Sequence, residues 1–139
     1  MRTKSPLALM EQLVMVLVFA LAAALCLQVF VLADKTSRHN ADVDNAVLLA
    51  QNTAETLKAY GGVEEAKEAT GGEIRQMMWS AYYDEDLNPV PDQASACYVV
   101  DTLPGNSGVE GLGQANIEVF RQDGNRGLFS ITVAWQEVD

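Results

Sequence analysis

The residues best suited to chemistry are few and scattered. Asp84, Asp86 and Asn88 alternate in "YYDEDLNPV" as the first oxygen ligands of a calcium loop do. The match stops at Pro89, where such a loop needs Gly, and at Ser95, where it needs Glu. A charged turn is therefore the reading of this segment. Asp84, Asp86 and Asn88, with Asp92 nearby, remain only a weak calcium candidate, and no metal or other cofactor is expected. His39 is the only histidine, flanked by Arg38 and Asn40, and is read as a solvated side chain rather than a general base. No nucleophile elbow, phosphate loop or paired-ligand spacing is present. The Gly105–Gly113 stretch has no lysine and reads as a flexible connection. Cys26 and Cys97 imply neither a disulfide framework nor a zinc site. The chain is expected not to be an enzyme.

The acid that does need an explanation is Glu11. It stands in "SPLALMEQLVMVLVFALAAALCLQVFVLA", and from Leu13 to Ala33 the only strongly polar side chain is Gln28. At 1.5 Å per residue that stretch spans about 30 Å, the thickness of a bilayer core. A transmembrane helix follows. The rival is a secretory signal cut after Val31-Leu32-Ala33, but the apolar run exceeds the 7–15 residues usual there. Glu11 is then either an interfacial side chain reaching water or an intramembrane acid facing a protein partner.

Charge sorts the chain. The net charge is −10 over 139 residues. Arg2 and Lys4 precede the run, and all nineteen acids but Glu11 follow it. An acidic domain repels phosphate backbones, so no nucleic acid binding is expected. The favoured orientation puts the N-terminus inside the cytoplasmic membrane and the acidic part outside.

The elements that must position these residues read as follows. Nothing breaks a helix from about Leu7 until Gly61-Gly62, a length of about 80 Å at 1.5 Å per residue. Beyond the apolar run, Val43, Val47, Ala50, Ala54 and Leu57 form one stripe, and Gly61 is a suitable cap. "VEEAKEATGG" predicts a short connective helix ended by Gly71. From Glu73 the period changes to two. Met77, Trp79, Ala81 and Tyr83 share a face, "ASACYVVDTL" is a strand, and Ala115, Ile117 and Val119 alternate with polar neighbours. "DGNRG" predicts a hairpin turn, and Phe129, Ile131, Val133 and Trp135 alternate with Ser130, Thr132 and Gln136. The fold class is α+β, a long helix laid on an antiparallel meander of about four strands, the Val43–Leu57 stripe covering its apolar face. The expected divisions are a basic leader (1–6), a transmembrane helix (7–33), its amphipathic continuation (34–60) and an extracytoplasmic α/β part (61–139).

A short basic leader, an apolar run with one early Glu, an amphipathic continuation and a β-meander together resemble type IV pilins and the pseudopilins of type II secretion. The motif lies in "SPLALMEQLVMVLVFALAAALCLQVF". "YYDEDLNPV" and "LFSITVAWQE" are similar to segments of pilin-like proteins of Gram-positive bacteria. The resemblance implies a structural, single-pass subunit of a pilus, secretion or DNA-uptake apparatus. In that family a peptidase cuts after Gly or Ala, and a Glu fifth in the mature chain neutralises a neighbouring subunit's N-terminal amine. Glu11 is fifth if Leu7 is first, with Pro6 before the cut, and sixth if the cut follows Ser5. An uncleaved chain keeping Arg2 and Lys4 is the other reading. Helix packing in a filament would use the small residues Ala20, Ala22, Ala23 and Ala24. The alternative function is a membrane-anchored binding module that never polymerises and holds its partner on the exposed sheet face, through Tyr82 and Phe120.

Overall fold

The computed structural model describes residues 4–137, with side chains from Pro6 onward. It holds a helix α1 (Lys4–Tyr60), a helix α2 (Val63–Thr70) and strands β1 (Glu73–Arg75), β2 (Met78–Tyr83), β3 (Pro89–Val90), β4 (Tyr98–Asn106), β5 (Leu112–Arg121) and β6 (Arg126–Gln136). One 3-10 turn, Gln93–Ser95, precedes β4. The chain divides into two compact units at Asn40/Ala41.

The second unit is the expected α+β architecture. All strand pairs are antiparallel, in the order β1-β2-β4-β5-β6 with β3 also on β2. The sheet thus has six strands where about four are expected. The additions come from the segment after Glu73. It is not one strand but a hairpin, Arg75 pairing with Met78. Its two-residue turn puts Gln76 and Met77 at φ of 48° and 73°, the geometry that matches strand twist. Met77 therefore leaves the face it was expected to share and is 77% exposed. Trp79, Ala81 and Tyr83 do point into the core.

That core is where the C-terminal part of α1 meets the sheet. The buried face of α1 is Ala46, Leu49, Ala50, Thr53, Ala54 and Leu57, steps of three and four along one side. It lies slightly around the helix from the expected stripe, so Val43 and Val47 flank it half-buried. Three alanines let the backbone approach the sheet closely, while Leu57 fills the gap at the end. Burying Leu49 and Leu57 contributes about 1.5–3 kcal/mol each. Opposite stand Tyr98 and Val100 of β4, Ala115, Ile117 and Val119 of β5, and Val133 and Trp135 of β6. Ala66 of α2 is fully buried in the same cluster and Val63 packs against it. So α2 is a wall of the core as well as a connection.

Gly61 ends α1 at φ 76°, its N–H donating to the Leu57 carbonyl at 2.9 Å. Gly71 ends α2 in the same way, onto Lys67 at 2.7 Å. The Gly105–Gly113 stretch is a loop only over residues 107–111. β4 and β5 stay paired out to Asn106 and Gly113, and Ser107 closes the short turn by donating to the Leu112 carbonyl at 2.6 Å. Gly113 is there because the Trp135 ring lies over it. A Cβ added at Gly113 would fall 2.4 Å from that ring.

Candidate functional site

In the first unit, every side chain from Pro6 to Asn40 is exposed. The large apolar ones include Leu7 at 71%, Phe19 at 76% and Phe30 at 78%. A helix apolar all round is stable only where something apolar surrounds it. By length and composition α1 can cross a membrane. The fold and this segment together are those of a structural, membrane-anchoring chain. Pro6 sits in the first turn of α1, where a missing N–H costs nothing. Ser5 and Leu7 lie in the same turn, so the two candidate cut positions are helical here. Arg2 lies outside the described residues. Glu11 is ringed by Leu7, Ala8, Met10, Val14 and Met15. Among the described residues it has no partner. Cys26 is exposed on the same helix, and Cys97 is half-buried beside the core; both are free thiols.

The calcium candidate is a turn closed by its own carboxylate. Asp84 Oδ1 accepts the N–H groups of Asp86 and Asn88, both at 2.9 Å, and the Asn88 side-chain amide at 3.4 Å. The Asn88 N–H bond is the largest influence holding the Asp84 carboxyl below the usual carboxylate range. Asp92 likewise caps the 3-10 turn, accepting from Ser95 N–H at 2.9 Å. Among the described residues no three His, Cys, Asp or Glu side chains gather as metal ligands would.

The sheet face away from α1 differs from expectation at one named residue. Tyr82 is 5% exposed, packed with Ala96 and Val99 under the β3 segment. It is closed off by its own chain and is not a binding surface. Phe120 stays half-exposed. Beside exposed Leu103, this face carries a polar row. Ser80, Asp101, Glu118 and Ser130 are aligned across four strands. Ser80 donates to Asp101 at 2.6 Å, and Asn116 to Glu118 at 2.9 Å.

Sequence reasoning missed one cluster. Arg121, at the end of β5, pairs with Asp42 of α1 and also donates from Nε to Asp123 at 3.0 Å. Asp42 Oδ1 accepts the Tyr98 hydroxyl at 3.0 Å, and that hydroxyl accepts from Asn45 at 3.2 Å. The Arg121 guanidinium lies over the Tyr98 ring, 5.7 Å from its centroid. Burial raises the Tyr98 hydroxyl, and the bond to Asp42 adds to this. The Asp123 hydrogen bond, with Asp42 further off in effect, raises Arg121. These groups are engaged with one another, so the cluster fixes the C-terminal part of α1 to the sheet. Its one sequence signal is weak: Asp42 and Asn45, three apart, border the buried helix face.

No family model, no curated protein and no solved structure matches this chain.

Proposed function

We propose that the chain is a pilin-like subunit, anchored through α1 in the cytoplasmic membrane with its acidic unit outside. It assembles laterally with other such helices as a minor subunit of a pilus, secretion or DNA-uptake apparatus. The observation that carries this reading is Glu11, a lone carboxylate inside an otherwise apolar, wholly exposed helix surface. An unpaired carboxylate in hydrocarbon costs several kcal/mol, so a positive group on a neighbour would both pair with it and set the register between helices. That group is a mature N-terminal amine if the leader is cut beside Pro6 or Leu7, and Lys4 or Arg2 of a neighbour if it is not. Mass spectrometry of the N-terminus from native membranes separates the two. Glu11→Ala is expected to abolish assembly while leaving the chain in the membrane and its second unit folded, and Glu11→Gln to fail in the same way. Normal assembly of Glu11→Ala would sink the proposal.

A further inference from the structure

The apolar half of α1 carries a polar group that the Glu11 contact does not use. Gln28 is helical and exposed, and among the described residues no hydrogen bond reaches its side chain. It is the only strongly polar side chain from Leu13 to Ala33 and stands six residues before Asp34. That is about 9 Å along the axis at 1.5 Å per residue. Gln28 cannot recover this distance by reaching toward Asp34. The Cα–Cβ bond of a helical residue tilts toward the helix N-terminus, so the carboxamide lies back over the preceding turn, deeper in the bilayer. A carboxamide without a hydrogen-bond partner in hydrocarbon is unfavourable. The turn it lies over holds Ala24, with Ala20 one turn further along the same face. Both are small enough for a second helix to come close beside the amide.

We propose that the membrane half of α1 forms a parallel pair with a second copy of this chain, closed by reciprocal hydrogen bonds between the two Gln28 carboxamides. Two features choose the copy as the occupant. Copies anchored in one membrane run this segment the same way, so their Gln28 side chains stand at one depth. The carboxamide is also complementary to itself in charge, its positive NH2 group facing the other's negative oxygen, so a level pair makes two hydrogen bonds. This contact is separate from that of Glu11. At about 100° per residue, Glu11 lies about 100° around the helix from Gln28. Glu11 needs a group unlike itself, which makes its contact heterologous. Gln28 pairs with its own kind, an isologous contact that closes at two chains. The proposal rests on the anchoring of α1 in a membrane and not on assembly through Glu11.

The test uses the full chain in lipid vesicles. Association is read by energy transfer between copies carrying donor or acceptor dyes on the second unit. Gln28→Leu should weaken association about tenfold, a loss of about 1.4 kcal/mol. Leucine suits both helix and lipid, so this variant does not fail by misfolding. Gln28→Asn keeps the amide and should stay within about threefold of wild type. Oxidation by copper phenanthroline in native membranes reads the face. Ala24→Cys, in a Cys26→Ala, Cys97→Ala background, should crosslink to itself. The native Cys26, about 160° around the helix from Gln28, should not do so in a Cys97→Ala chain. Both readouts are repeated with Glu11→Ala, where the Gln28 pair should persist. Wild-type association by Gln28→Leu, a monomeric wild-type chain, or a crosslink at Cys26 as strong as at Ala24→Cys overturns the proposal and leaves the Glu11 reading standing. A pair that persists while Glu11→Ala assembles normally supports this proposal and sinks the Glu11 reading alone. A chain that washes off the membrane overturns both.

Discussion

Gly113→Ala is the sharpest perturbation of this fold. Gly113 lies opposite Trp135 on the neighbouring strand, and the new methyl carbon would sit 2.4 Å from Cε2 and 2.5 Å from Nε1 of the indole. The glycine has no positive φ, so alanine is excluded by the ring and not by the backbone. The ring cannot move alone. Its Nε1 donates to the Gly61 carbonyl at 2.9 Å, the point where α1 ends, and its other atoms lie in the core. Overpacking of this kind costs about 1–3 kcal/mol, and the lost hydrogen bond about 1 kcal/mol more. A total of about 2–4 kcal/mol follows. For a unit of this size each kcal/mol lowers the melting temperature by about 4–8 °C. The assay is urea unfolding of the full chain in detergent followed by tryptophan fluorescence. Trp79 and Trp135 are the only tryptophans, and both belong to the second unit, so the signal reports that unit alone. A cycle with Trp135→Phe should show strong non-additivity, because the smaller ring relieves the clash. Gly113→Ala within about 0.5 kcal/mol of wild type would show that the indole does not hold β5, β6 and the end of α1 together.

Two further substitutions test the core. Tyr98→Phe removes the hydroxyl between Asp42 and Asn45 but keeps the ring under Arg121, and should cost about 1–2 kcal/mol in the same unfolding assay. Because the Tyr98 hydroxyl is raised in the fold, its contribution is fully present below the ordinary tyrosine value of about 10 and is lost as pH rises from there through the folded value; Tyr98→Phe should lack that alkaline loss. Thr102 is fully buried, and among the described residues its hydroxyl has no hydrogen-bond partner. Thr102→Val keeps the branched shape and removes the unpaired group, so it should stabilise the unit by about 1 kcal/mol or more; a destabilised variant would show that the hydroxyl is satisfied in solution.

The elements that were legible carry their own periodicity. The α1 stripe, the β5 and β6 alternation, the "DGNRG" turn and the Gly61 cap each follow from side chains within a dozen residues of one another. The misjudged parts depend on residues far apart in the chain. Gly105–Gly113 has the composition of a loop, yet Trp135 turns Gly113 into a strand residue by lying across it. Tyr82 alternates out of the core and so reads as exposed, but Val90 and Ala96 fold back over it. Gln76 and Met77 take the turn positions usually held by Asn and Gly, so no local signal marks that hairpin.

The same reasoning separates the two clusters of charge. Asp84, Asp86 and Asn88 are conspicuous in sequence because they are adjacent, and adjacency lets Asp84 satisfy itself from the next turn of backbone. Asp42 and Arg121 are 79 residues apart and pass unnoticed, although they join α1 to the sheet. Glu11 differs from both. The described chain offers it neither a backbone turn nor a distant base, and it stands on the one surface that the fold leaves wholly uncovered. In the assembly proposed above, a carboxylate that no described part of its own chain satisfies would find its partner on a second helix that brings a positive charge with it. Loss of the charge, as in Glu11→Gln, therefore tests the pairing without altering the size of the side chain or the apolar surface around it.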